Sequence, residues 1–326
     1  MQEQNAVSME YFKDPARFAD LVNSVVFSGE EIVSPGDVKE LDPVLWNVHR
    51  NGASLQAKVQ VQDLLRQVSM GFQVILVALE NQTKVHYAMP VRVMNADAAK
   101  YHDQCRKIGQ KHEKKKDLSG KEYLSRFGKE DKLLPVISIV VYFGKEPWDG
   151  PRALKEMMDL SGCPKQMRDL IVDYPICLVE ARKQEHLEWF RTDLQYVFGF
   201  LARAEEKHDL RTYVEEHREA FSEMRRDAYD LVSVMSNMRE LELIRDQEER
   251  EGGYDMCKAI YDMIEDGRSE GRQAGRSEGI AVGREQGENR INALIARLFE
   301  DDRAGELRHM VTDRDYQRRL LEEYGL

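Results

Sequence analysis

The stretch LLPVISIVVYFG, residues 133–144, constrains this chain most tightly. Its apolar residues run without alternation and are rich in Val and Ile, the pattern of a strand covered on both faces. Such a strand belongs inside a sheet with helices on either side. FQVILVALENQ (72–82) and YPICLVEAR (174–182) read as further strands, and 88–117 reads as a helix between them. From about residue 185 onward the pattern is helical, with heavy charge and few breakers. The expected fold class is α/β: a core over 1–185, a helical extension over 186–265, and a Gly-repeat helix with a terminal helix over 266–326.

Residues 10–27 carry a helical stripe of Phe18, Leu21, Val22, Val25 and Val26, opened by Asp14-Pro15 and closed by Gly29. Asp20 and Asn23 lie three apart and project from one side of that helix. SPGD and LDPVLW read as a turn-rich connection, and RALKEMMDL as a short helix. SLQAKVQVQDLLRQV (54–68) alternates like one strand, and a short Gly-containing turn joins it to 72–82 as a hairpin.

Composition narrows the class. Of 326 residues, 42% are hydrophobic and 33% charged, which describes a globular protein with a wet surface. No window approaches 18 consecutive apolar residues, so no membrane span is expected. The first residues lack a basic region followed by an apolar one, so no secretory signal is read there. Cys105, Cys163, Cys177 and Cys257 are scattered without a CxxC pair, which fits a reducing cytoplasm and neither zinc nor a disulfide framework.

The net charge of −11 has the wrong sign for a passive nucleic-acid binder. The distribution is uneven, however: Arg106 to Lys132 holds ten Lys/Arg against five Asp/Glu. A solvated helix face and a phosphate-binding surface both fit that run.

In 267–287, glycines recur every fourth residue: Gly267, Gly271, Gly275, Gly279, Gly283 and Gly287. On a helix they would trace a slowly winding smooth stripe. Each Gly costs a helix roughly 1 kcal/mol relative to Ala. The segment therefore reads either as a flexible linker or as a self-associating helix with Arg and Glu pairing across chains.

A hairpin turning at Gly71-Phe72 sets Asp63 opposite Glu80 on one face, with Cβ atoms roughly 4.5–5.5 Å apart. Gln82 shares that face and Asn81 points away. Two acids directly across a ladder repel, and a cation between them relieves the repulsion. Two carboxylates, a backbone carbonyl and water are what Mg²⁺ prefers. Exposed strand ends would explain the same residues without a metal.

The blocks YFKDPARFADLVNSVVF, VQDLLRQVSMGFQVILVALENQTKVHYAMPVRV and LLPVISIVVYFGKEPWDGP, with the GxxxG-type tail, resemble the PD-(D/E)XK nuclease-family transposases, the Rpn-like recombination-promoting nucleases. The resemblance covers roughly residues 10–185 well and the remainder loosely. It implies a restriction-endonuclease-like core, a mixed sheet flanked by helices, and Mg²⁺-dependent hydrolysis of DNA phosphodiester bonds, with Mn²⁺ as a substitute. On that pattern Asp63 takes the "PD" acid and Glu80 the (D/E)XK acid. Gln82 stands where the wider superfamily has lysine, and Gln62 replaces the proline. Asp20 or Asn23 takes the additional metal-facing place on the first helix.

The expectation is thus a cytoplasmic DNA endonuclease linked to recombination or mobile elements. Asp63 and Glu80 would hold the metal with the Asn81 carbonyl, and Gln82 and Asn23 would complete the catalytic set. Arg106, Lys107, Lys111, Lys114, Lys115 and Lys116 would lie along the DNA. A homo-oligomer would form through the Gly-stripe helix. The competing expectation is a nuclease-like module that binds DNA or protein without cleaving it, motivated by the missing lysine.

Overall fold

The computed structural model describes residues 2–41, 44–51, 54–61, 64–70, 73–238, 241 and 254–326. They divide into two compact units, Met1–Ile260 and Tyr261–Leu326.

In the first unit, α1 (Gln2–Phe12) and α2 (Pro15–Val26) precede the strands. Asp14 caps α2 by accepting a hydrogen bond from the Ala16 N–H, and Pro15 supplies the first helical φ. The central sheet has five strands in the order β1 (Val38–Glu40), β4 (Leu64–Met70), β5 (Gln73–Gln82), β6 (Val136–Tyr142) and β7 (Cys177–Glu180). β1, β4 and β5 are antiparallel neighbours, while β5, β6 and β7 run parallel. The sheet is therefore mixed, with β6 in its interior, as its continuous apolar run requires.

The β4–β5 ladder carries the register counted from the sequence: Leu64 faces Leu79 and Met70 faces Gln73. β3 (Ser54–Val61) pairs with β2 (Val44–Asn51) in a two-stranded ribbon, so the turn-rich connection expected at LDPVLW is corrected; residues 62 and 63, between β3 and β4, lie outside the described residues. The missed signal is Asn51-Gly52, a hairpin dipeptide between two β-rich runs.

α3 (Met89–Lys115) crosses one face of the sheet, packing Met89 and Val93 on Val140, Tyr142 and Trp148. α1 runs against β5 on its way to α9 (Arg226–Ser236). Short elements follow α3: α4 (Gly120–Ser125), α5 (Lys165–Leu170), α6 (Leu194–Arg203), α7 (Lys207–Glu216) and α8 (Arg218–Ser222). RALKEMMDL forms only a 3-10 turn over Leu154–Met157.

The helical stretch from 186 to 260 belongs to the same unit as the sheet, and one side chain does much to join them. Arg17 of α2, 2% exposed, donates to Asp193 at 2.6 and 2.8 Å and to Asp227 at 2.6 and 3.0 Å. Arg182, just after β7, donates to the Leu201 and Met235 carbonyls at 2.8 and 2.6 Å.

α10 (Met256–Glu300) is one continuous helix through the Gly repeat, so the segment is helical and not a flexible coil. A Cβ placed on Gly271, Gly275, Gly279, Gly283 or Gly287 would meet open space among the described residues. The second unit closes a small core of Leu294, Leu298, Met310 and Leu320 with α11 (Leu307–Thr312) and α12 (Arg314–Glu323). Among the described residues no helix is long and apolar enough to cross a membrane.

Candidate active site

Glu80 ends the buried run of β5 and is itself only 2% exposed. It stands beside Val140 of β6, so it shares the sheet face that α3 covers. In the first turn of α3, Arg92 donates from Nη2 to Glu80 Oε2 at 2.9 Å. A buried carboxylate is costly without an opposite charge, and Arg92 supplies one while remaining 42% exposed.

A second polar cluster lies two turns further along α3. Lys100 Nζ donates to Asp97 Oδ1 at 2.8 Å and to Ser138 Oγ at 3.0 Å. The Ser138 hydroxyl donates to Asp97 Oδ1 at 2.6 Å, and the Tyr174 hydroxyl to Asp97 Oδ2 at 2.5 Å. Ser138 pairs with Ala78, two positions before Glu80 and on the same face. Burial pushes the Lys100 ammonium below its usual range, while the charges of Asp97 and Glu80 oppose that shift. Glu80 is therefore flanked along α3 by two cations, Arg92 at the mouth and Lys100 inside.

Sequence reasoning missed both partners. Asp97 and Lys100, three apart, look like any surface pair on a helix. The available signal was Ser138, a hydroxyl inside an otherwise apolar strand that needs a buried partner.

At the carboxyl end of β5 a cleft of about 380 Å³ opens beside Arg92. Its lining includes Gln4, Gln82, Thr83, Lys84, His86 and Arg92, and no acid lines it among the described residues. Two fixed cations, a histidine and several amides suit an anionic ligand. The carboxyl ends of parallel strands are where open α/β sheets hold ligands.

Asp63 lies outside the described residues. In sequence it directly precedes Leu64, whose partner Leu79 directly precedes Glu80. The Gln82 carbonyl accepts from the Phe143 N–H at 2.8 Å, on the β6 side, so alternation turns the Asn81 carbonyl toward the β4 side. Among the described residues no group of three or more His, Cys, Asp or Glu could hold a metal. This strand end offers two oxygens of the kind a hard cation takes, the Glu80 carboxylate and the Asn81 carbonyl, and the Glu80 Oε2 already accepts from Arg92.

The first-helix residues have other engagements. Asp20 accepts from the Arg191 and Thr192 N–H groups and the Thr192 hydroxyl, at 2.6–3.0 Å. Asn23 donates to the Val33 carbonyl at 2.8 Å and accepts from the Ile32 and Val33 N–H groups at 3.1 and 2.8 Å. Both side chains hold loop backbone rather than the Glu80 cluster.

Of the expected DNA-contacting residues, Arg106 and Lys107 both bridge to Asp103, at 2.5 and 2.8 Å. Lys111, Lys114, Lys115 and Lys116 are exposed over the end of α3 and its C-cap, and none closes a salt bridge among the described residues.

Comparison with protein-family models, with curated proteins and with solved structures found no match for this chain.

Proposed function

We propose that the chain is a metal-dependent DNA endonuclease of the PD-(D/E)XK type, working at the carboxyl end of β5. The observation that carries this reading is a buried carboxylate, Glu80, whose hydrogen-bond partner Arg92 lines a cleft in which every charged lining residue is basic. The mixed sheet flanked by helices is compatible with the restriction-endonuclease-like core that the resemblance implies.

Asp63, Glu80 and the Asn81 carbonyl would hold the cation. Mg²⁺ bound there would neutralise charge on the scissile phosphate and acidify the attacking water. Gln82, on the Glu80 face and in the cleft lining, orients that water through its amide. Arg92 and Lys84 bring positive charge to the phosphate oxygens, a role the wider superfamily gives partly to the lysine absent at Gln82. Lys100 sits deeper along α3, where the charge of Glu80 acts on its ammonium, and does not line the cleft. Asn23, although expected in the catalytic set, acts on the loop at Val33.

The reading includes a cytoplasmic location and a homo-oligomer through α10, since cutting two strands benefits from two sites. The test is conversion of supercoiled plasmid in Mg²⁺, in Mn²⁺ and in EDTA, with Asp63→Ala beside the wild type. Cleavage confined to the divalent arms and lost in the variant supports the reading; equal cleavage by the variant contradicts it. The second reading, a DNA-binding module without catalysis, is favoured by the Arg92–Glu80 pair, because the carboxylate already has a cation. DNA binding in EDTA with no cleavage in any metal would select it.

A further inference from the structure

The basic end of α3 and the Glu80 cluster are separated by the length of one helix. From Arg92 to Lys115 the helix climbs about 35 Å at about 1.5 Å per residue. Duplex DNA advances about 3.4 Å per base pair, so that length corresponds to about ten base pairs. Lysines at the far end of α3 cannot touch the phosphate being cut at Glu80.

That far end is a built platform. Lys116 closes α3 in the left-handed conformation, with φ of 55°. The chain then folds back so that Arg126 packs on Gly109, where a Cβ would meet Arg126 Cβ at 3.2 Å. The His112 ring holds the fold-back shut, with Nδ1 at 2.6 Å from Asp117 and Nε2 at 2.8 Å from Asp131. Asp131 also accepts from the Gly128 N–H at 2.7 Å, and Glu122 from the Lys129 N–H at 2.8 Å.

Three of the segment's acids are therefore turned inward on its own backbone and ring. Its cations are not: Lys111, Lys114, Lys115, Lys116, Lys121 and Arg126 are exposed and close no salt bridge among the described residues. In their midst α4 presents Tyr123 at 70% and Leu124 at 84% exposure. A large aromatic and an aliphatic side chain ringed by cations match a surface that alternates phosphates with apolar sugar and base edges.

We propose that this platform is a second nucleic-acid contact, gripping the duplex about ten base pairs from the cut. The lysines take phosphates while Tyr123 and Leu124 seat against the sugar–base surface of the groove. The inference rests on the nuclease reading and adds to it a minimum substrate length.

Fluorescence anisotropy of the full chain, in Ca²⁺ to withhold cleavage, would compare duplexes of about 8 and about 24 base pairs, lengths either side of the platform's reach. The longer duplex should bind the wild type at least tenfold tighter. Lys114→Gln/Lys115→Gln/Lys116→Gln should erase that gain and flatten the salt dependence by about three phosphate contacts' worth. Tyr123→Ser/Leu124→Ser should weaken only the longer duplex, by several-fold, without changing the salt slope. Both variants alter exposed residues, and circular dichroism checks that they fold. An undiminished length gain in both variants overturns the platform, even if plasmid cleavage is intact. A length gain lost in the variants but no cleavage in any metal leaves the platform standing and removes the catalytic reading. Equal wild-type affinity for both lengths, or no duplex binding at all, overturns the platform as well.

Discussion

Arg92 donates a hydrogen bond to Glu80 across 2.9 Å, joining the first turn of α3 to the last buried carboxylate of β5. A metal ion at Glu80 would compete with this guanidinium for the same oxygen. Arg92→Met should therefore move two readouts in opposite directions. The metal-free protein should lose about 1–2 kcal/mol of stability, discounted because Arg92 is partly exposed. The gain in melting temperature on adding Mg²⁺ should become larger than in the wild type. A thermal-shift titration checks both, and a smaller Mg²⁺ gain in the variant would show that Arg92 assists binding instead.

The Asp97–Lys100 pair is buried at both ends, with side chains 4% and 1% exposed. Removing one charge strands the other, so Lys100→Met or Asp97→Asn should each cost about 3–5 kcal/mol in urea unfolding. The double variant should cost less than the two single losses added together. Strict additivity would mean that the pair is not coupled, and Tyr174 and Ser138 would then carry the cluster.

The His112 clamp sets a pH dependence. Its hydrogen bonds to Asp117 and then Asp131 raise the imidazole above its usual range; the His112 contact lowers the Asp117 carboxyl, and the Gly128 N–H, with His112 second to it, lowers that of Asp131. For the raised histidine, the contribution is full below its unfolded value of about 6.5 and is lost as pH climbs through the folded value. For the lowered carboxyls, it is present above about 3.9 and is lost as pH falls through their folded values. Limited proteolysis of 116–132 should accordingly be slowest near pH 5–6 and quicken toward pH 9, at roughly the window these values set. His112→Gln should flatten that alkaline rise. A profile unchanged by the substitution would remove His112 as its cause.

Elements with strong local signals were legible from the sequence. β6 announces itself by an unbroken run of Val and Ile, and the β4–β5 register follows from a short Gly-containing turn between apolar runs. The partner of β3 was hidden because Pro43 makes the run into β2 look like a turn. Asp20 and Asn23 could not be placed from spacing alone. Asp20 binds backbone 171 residues away, a contact that only the tertiary fold creates. Arg92 was equally silent, since a single cation in the first turn of a charged helix has no local mark. The site was thus readable as far as its strand and no further: Glu80 was named from β5, and its surroundings came from α3.

The most direct measurement compares Glu80→Gln with the wild type in a plasmid-nicking assay, both at matched folded concentration, in Mg²⁺ and in EDTA. Gln keeps the shape and a hydrogen bond to Arg92 but gives up the charge that would hold the cation. The wild type should nick plasmid in Mg²⁺ and not in EDTA, and Glu80→Gln should be slower by at least about a hundredfold, the scale of losing an electrostatic group at a reacting centre. Wild-type nicking that persists in EDTA, or a Glu80→Gln protein that cuts as fast as the wild type, would contradict a metal site at Glu80.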